Sequence, residues 1–366
     1  MSNRLRKDAP KEQIQKISSI DEIAKALGVS KSTVSRAISG KGRIGQETRE
    51  KVLSFIDLHG FKPNLIAKSL AVSRTFNIAV VIPSDAEVQE IPFFQGCLHA
   101  ISQTITQWDY DVILSITTEH NISSVKRLVR NRKVDGIILT RPLIDDKAIS
   151  FLKETEVPFL VIGNPGVDTV VQIDSDHITG CRDATEHILR QRFVNHVLLA
   201  GNPHHRVNQN RFFGYQSALQ KQGIKIGIEI SYHDLTKIKK DRFDYPIVVW
   251  DISSQTAIDE TLHTIMLKKP ACLICMDDVI ASKTINYLTR HHIRIPQDIR
   301  LVSFHDSAAM EHNIPPVSAV HVHIAELGRM AGSTIINMIE GRPFEFVNRL
   351  PAEFVVRESS LNFHGD

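Results

Sequence analysis

Between residues 30 and 36 the chain sets Ser30, Lys31, Ser32, Thr33, Ser35 and Arg36 around a single bulky apolar residue, Val34. Short hydroxyls and long cations at that density suit hydrogen bonding to base edges and phosphates rather than bond making. A second polar group lies downstream: the Asp277–Asp278 pair and His305–Asp306. No Ser/His/Asp or carboxylate constellation with catalytic spacing stands out, and no G-x-G-x-x-G follows the first strand-like run, which argues against a nicotinamide-dependent enzyme. Cys272 and Cys275 form a CxxC, but inside ACLICMDD, which reads as a buried strand. Residues three apart on a strand face opposite ways, so this pair is expected neither to chelate nor to bridge. His321-x-His323 would put two rings on one strand face, yet no third ligand stands nearby; no metal and no cofactor are expected.

The first group needs a helix to carry it, and the flanking sequence supplies one. Ile20, Ile23, Ala24 and Leu27 fall on one face of a helix, and Ser19 with Glu22 makes a capping box. Gly28 then ends that helix, and Ser30 can cap a second, Lys31 to Ile38, that hides only Val34, Ala37 and Ile38. The reading is a helix-turn-helix, whose second helix is thin enough for the major groove. Residues 46–58 predict a third helix with Val52, Leu53, Phe55 and Ile56 inward and Gly60 as its stop. FKPNLIAKSLAV, residues 61–72, holds at most a helix of one or two turns, marginal in water by itself.

Charge is divided unevenly along the 366 residues. Residues 1–75 carry 15 Lys/Arg against 7 Asp/Glu, a net of +8, and the rest a net of −5. A cationic head on an acidic body points to an anionic partner for the head alone, and nucleic acid is the commonest one. No apolar run is long enough to span a membrane, and the first residues lack the apolar stretch of a secretory signal. With four cysteines and no disulfide pattern, a reducing cytoplasmic setting is expected.

From Phe76 the texture changes. NIAVVIP, YDVILSI, VDGIILT, VPFLVIG, HVLLAG, YPIVVWD, PACLICM and IRLVSFH are short apolar runs, read as strands buried on both faces. Helix-like stretches at 94–107, 176–191, 211–222, 254–267 and 278–292 separate most of them. Such alternation means parallel sheets in an α/β fold, and about eight units call for two lobes. Ligands of open parallel sheets bind at the carboxyl ends of the strands, where Thr140-Arg141, Gly163-Asn164, Trp250-Asp251, Asp277-Asp278 and His305-Asp306 fall.

Taken together, these segments resemble the LacI/GalR family of bacterial transcription regulators over nearly the whole chain. The carriers are GVSKSTVSRAISG and TREKV in the head, FKPNLIAKSL as hinge, and NIAVVIP, IPFFQGC, VDGIILT, MDDVIAS, IRLVSFHD, NIPPVSAV and RLPAEFVVRESS in the body. The resemblance implies a helix-turn-helix headpiece (18–60), a hinge helix and linker (61–75), and a two-lobed, periplasmic-binding-protein-like effector and dimerisation domain (76–366). Lobe 1 is expected at about 76–175 and 323–351, and lobe 2 at about 176–322 and 352–366. A basic arm, 1–17, precedes them and is expected to be disordered, with weak DNA contact. A non-enzymatic regulator is implied, most simply a repressor: a homodimer on a palindromic double-stranded operator, controlled by a small molecule between the lobes. No leucine heptads follow the last strand, so a dimer is the default expectation.

Residue by residue, the resemblance places Lys31, Ser32 and Arg36 where bases are read, with Thr33 and Ser35 nearer phosphates and Ser30 at the helix start. Leu70 takes the place of a minor-groove wedge, with Asn64 and Ala67 on the same hinge helix. For the effector it implies Phe94, Thr140, Asn164, Arg211, Trp250, Asp277 and His305. The pocket departs from the family pattern: His305 replaces the first Asp of a frequent pair, and Gly163-Asn164 stands where Asp is common. With Arg141, Arg211 and His305 near the cleft, a sugar or sugar derivative bearing an acid or phosphate is the expected ligand, although Asp277 opposes it. A secreted solute-binding protein would leave the headpiece without purpose, and a DNA-architectural protein would leave the cleft without one.

Overall fold

The computed structural model describes residues 19–39, 42–61, 73–84, 91–238 and 243–361. It divides into two compact units, 1–74 and 75–366. The basic arm and the hinge residues Asn64, Ala67 and Leu70 lie outside the described residues.

The first unit is helical. Helix α1 (Ile20–Leu27) starts at Ser19, whose hydroxyl accepts from the Glu22 amide, and stops at Gly28, which takes the left-handed conformation at φ 66° that favours glycine. Helix α2 (Lys31–Ser39) and α3 (Gln46–Leu58) follow. Ile23, Ala24, Val34, Ala37, Val52 and Phe61 form their shared core. Leu53 corrects the sequence reading: it is 42% exposed, because three short helices cannot cover every apolar position of α3.

The second unit holds two sheets. Strands β1 (Asn77–Pro83), β2 (Asp111–Thr117), β3 (Gly136–Leu139), β4 (Phe159–Ile162), β5 (Val171–Ser175) and β12 (Val347–Leu350) form the first, in the order β12-β5-β4-β3-β1-β2 and parallel throughout. Strands β6 (His196–Leu199), β7 (Ile228–Ser231), β8 (Ile247–Trp250), β9 (Cys272–Cys275), β10 (Arg300–Ser303), β11 (Ser318–Val322) and β13 (Ala352–Val355) form the second, in the order β13-β11-β10-β9-β6-β8-β7. Only the β11–β13 pair there is antiparallel.

Alternation along the strands builds a core on each face of the first sheet. From β1, Ile78 and Val80 join the core beside helices α4 (Ile91–Ile105) and α12 (Ile324–Glu340), while Ala79 and Val81 join the one beside α5 (Ser123–Arg130) and α6 (Lys147–Lys153). Strand β2 is the exception to the double-faced burial read from YDVILSI. It is the sheet edge, and Leu114 and Ile116 are half exposed. One core fills the second sheet and its helices.

Helices α7 (His177–Arg190) and α8 (Arg206–Lys221) carry the chain into and through the second lobe. They touch backbone to backbone at Gly214, where an added Cβ would sit 2.3 Å from the Ile178 carbonyl oxygen. A rigid backbone cannot yield as a side-chain tip can. Gly214→Ala should therefore destabilise the second unit by about 1–3 kcal/mol or more, read as a lower midpoint in urea unfolding; Gly223→Ala, open but at φ 67°, shows the cost of backbone strain without a clash. No helix among the described residues is long and apolar enough to cross a membrane.

Candidate functional site

The headpiece puts its polar residues where the spacing asks. Ser30, Lys31, Ser32, Ser35 and Arg36 are exposed and Thr33 is half-buried, while Val34 and Ala37 turn into the core. The Ser30 hydroxyl accepts from the Thr33 amide at 3.1 Å and lies 2.7 Å from the Ser32 hydroxyl and 2.8 Å from that of Thr33. The start of α2 is thus a ring of hydroxyls at the positive end of a helix, a favourable place for a phosphate. Lys31 rests on Asp21 of α1 at 2.6 Å. Both side chains are largely exposed, so the pair contributes little to stability and can exchange for a stronger anion. Arg36 lays its aliphatic stem beside Gly42, with Cδ 3.2 Å from where a Cβ would stand.

In the second unit, polar groups from both lobes converge on Arg211 of α8. Its side chain is 7% exposed; Nη1 donates to the Met276 carbonyl oxygen at 3.0 Å, and Nε is buried without a partner among the described residues. Asp277 caps helix α10 (Asp278–Arg290), its carboxylate accepting from the Ile280 amide at 2.8 Å. Burial raises its pKa above the usual carboxylate range, with the Arg211 charge opposing the shift. Asp278 accepts from His305 Nδ1 at 2.9 Å; burial pulls its pKa up, but that bond and the imidazole and Arg211 charges outweigh it and hold the carboxyl low. His305 Nε2 is then left buried and without a partner among the described residues.

Lobe 1 closes the other side. Phe93 of α4 presents its ring edge to His305, centroid to centroid 5.9 Å. Asp174 at the end of β5 is pushed by burial up to about 7, against a backbone hydrogen bond from Ser175 and the charges of Arg349 and Arg211. His177 at the start of α7 is driven well below the usual histidine range by burial, then by the charges of Arg211 and His305. Its Nε2 lies 3.9 Å from the Asp174 carboxylate, too far for a hydrogen bond.

The native Asp174 holds its proton up to about pH 7, while the unfolded chain releases it near the ordinary carboxylate value. Stability must fall as pH rises through that window. Asp174→Asn should therefore unfold at a higher temperature than the parent at pH 8, with the difference shrinking toward pH 4 in thermal melts. An equal difference at every pH would refute the assignment.

Of the sequence candidates, the structure gathers Arg211, Asp277 and His305. Thr140 is buried in lobe 1, donating to the Val81 carbonyl oxygen, and lines with Arg141 and Thr117 a cavity at the carboxyl ends of β1 to β3. Asn164 turns on its own loop and accepts from the Gly166 amide at 2.7 Å. Trp250 packs edge-on against Phe212, and its indole N–H donates to Glu229 of β7 at 2.9 Å. Phe94 is buried and meets Phe93 edge to face; Phe93 is the one of the two that reaches His305. Asp306 is held by a bidentate pair with Arg357 at 2.8 Å and by His321 at 3.4 Å.

The remaining sequence motifs resolve into structure. All four cysteines are free and buried; Cys275 is pushed up by burial to about 12, and its thiol faces Thr284, whereas Cys272 turns to a backbone carbonyl. Among the described residues no group of three or more His, Cys, Asp or Glu could hold a metal ion. Phe93, Asp174 and His177 escaped the sequence reading. His177 falls inside a stretch read only as helix, and nothing in its neighbours marks it as buried against Arg211.

Residues 19–64 match the family model "Bacterial regulatory proteins, lacI family", and residues 185–360 match the "Periplasmic binding protein-like domain". The chain belongs to the LacI family. It is a DNA-binding transcription regulator of that family, with a helix-turn-helix head and a two-lobed, periplasmic-binding-protein-like body. This LacI-family chain is similar to the HTH-type transcriptional regulator RegA of Clostridium saccharobutylicum, 26% identical over 350 residues, or 94% of this chain and 99% of RegA. It is equally similar, at 26%, to the regulator MalR of Streptococcus pneumoniae over 87% of this chain and 92% of MalR. Among solved structures, the lac repressor dimer bound to operator and the anti-inducer ONPF shares the fold, with TM-score 0.72, 22% identity and coverage of 94% and 99%. A complex of the regulator CelR with cellobiose matches with TM-score 0.65, 25% identity and coverage of 94% and 100%.

Proposed function

We propose that this protein is a non-enzymatic, cytoplasmic repressor whose operator affinity is set by a sugar or sugar derivative held between the lobes of its body. Helix α2 enters the major groove, Lys31, Ser32 and Arg36 read bases, and Ser30, Thr33 and Ser35 hold phosphates. Two copies bind a palindrome, each contributing one headpiece. The hinge residues Asn64, Ala67 and Leu70 complete the grip in the minor groove.

The observation that carries the reading is the cross-lobe cluster around Arg211. Its buried, unpartnered Arg211 Nε and His305 Nε2 stand beside the carboxylates of Asp277 and Asp278, a mixture of donors and acceptors that hydroxyl groups satisfy. The similar regulator CelR, whose structure is a complex with cellobiose, supports that ligand class. Because Phe93 and Asp174 come from lobe 1 and Arg211 and His305 from lobe 2, a ligand there prefers one lobe arrangement, and so can shift the body between states.

Selection of random duplexes by the full-length chain tests the first half of the proposal. Enrichment of a two-fold symmetric site with spaced half-sites is expected. Salt-dependent retention with no enriched motif would instead support a DNA-architectural role.

A further inference from the structure

A second arginine stands at the mouth of the same cleft. Arg206 is the first residue of α8, and around it the two lobes are clasped through their backbones. Leu143 and His205 form an antiparallel bridge, the Ile144 amide donates to His204 O at 3.0 Å, and the Arg206 amide donates to Pro142 O at 3.4 Å. The Arg206 guanidinium lies over Gly166, in the loop that carries Asn164. A Cβ there would sit 2.7 Å from Cζ and 2.8 Å from Nη2 and would push the guanidinium aside, and the φ of 78° at Gly166 itself favours glycine. Arg206 has no carboxylate in ion-pair range among the described residues, and its Nε is buried without a partner.

The two ends of the cleft differ in charge balance. Five residues further along α8, Arg211 lies among the carboxyl groups of Asp174, Asp277 and Asp278, and Asp278, held ionised, already opposes its charge. The Arg206 charge, partly withdrawn from water against the opposite lobe, is not opposed among the described residues. A guanidinium in that position is a fork for a carboxylate or phosphate.

We infer that Arg206 is a specificity-determining residue for an effector that is polyhydroxylated at one end and carries a carboxylate or phosphate at the other. The hydroxyls lie toward Arg211, Asp277 and His305, and the anionic group takes Arg206 and bridges it to the Asn164–Gly166 loop of lobe 1. The inference rests on the cleft being the effector site, and it adds the charge of the ligand and the residue that reads it.

Paired compounds test it on the full-length chain: glucose against glucose 6-phosphate and gluconate, then cellobiose against cellobionate, each followed by thermal shift and titration. The acidic member of a pair should bind at least about tenfold tighter than the neutral one. Arg206→Gln should erase that ratio, and Arg206→Lys, which keeps the charge but loses the fork, should retain part of it. Since the ratio is taken within each variant, a general loss of stability does not mimic the effect. Binding of neutral sugars alone, or a ratio unchanged in Arg206→Gln, would overturn the inference and leave the cleft reading standing. Stabilisation by no compound of either charge would count against both.

Discussion

Arg36→Ala in the full-length chain should weaken binding to the selected operator by about tenfold to a hundredfold, the worth of one good bidentate base contact. Arg36 is exposed and packs only its stem, beside Gly42, so its loss leaves the headpiece core of Ile23, Val34 and Val52 untouched. Two mechanisms give the same loss of affinity and are separated by its pattern. If Arg36 reads a guanine, the loss is confined to one position of the site and substitutions there become tolerated. If it clamps a phosphate, all sequences weaken alike and the slope against salt falls by about one counterion. Anisotropy titrations at several salt concentrations, on the operator and on single-base variants, distinguish them. Unchanged affinity on every duplex would remove α2 as the reading helix.

Arg211→Met should move the effector response to about ten- to a hundredfold higher ligand concentration while leaving operator binding in the absence of ligand. Methionine keeps much of the apolar stem, but the buried donor is gone. A hydrogen bond to a charged group contributes about 1.5–3 kcal/mol, which corresponds to about ten- to a hundredfold weaker ligand binding. The change also removes the positive charge that opposes the burial shift of Asp277 and helps hold Asp278 ionised. Asp277 should consequently take up protons at higher pH than in the parent, and residual ligand binding should become more pH-dependent. Arg211→Lys, which restores a charge, separates the electrostatic loss from a packing defect. Calorimetric titration with whichever sugar stabilises the parent is the measurement, and an affinity within twofold of the parent would displace Arg211 from the site.

The headpiece was the most legible part of the chain. Ser19, Gly28 and Ser30 act within one turn of their own position, so spacing alone defines where α1 ends and α2 begins. Apolar strands buried on both faces were legible for the same reason. Edge strands were not: IEIS of β7 and VNRL of β12 are polar, because one side of an edge strand meets water. Leu114 and Ile116 misled in the opposite direction, since apolar residues on the β2 edge look the same in sequence as those in a sheet centre.

The site was legible by residue type but not by position. The family resemblance points to Arg211, Asp277 and His305, and in the structure the charges of Arg211 and His305 act on Asp277. Phe93 and Phe94 are adjacent and alike, and only the packing of α4 decides which ring meets His305. Trp250 reads as a ligand platform or a core residue; the Glu229 carboxylate that takes its N–H is 21 residues away and signalled by nothing local. Arg206 depends on Gly166 in the other lobe, a pairing that no periodicity reveals.

The central claim is that one chain couples a ligand between its lobes to DNA held by its headpiece. Its most direct test is a thermodynamic cycle: operator affinity with and without the ligand, and ligand affinity with and without operator. Coupling requires both ratios to be equal, and factors of about 5 to 150 are expected. A ligand that binds the body through Arg211 yet leaves operator affinity unchanged, with a ratio of about one in both directions, would contradict the account.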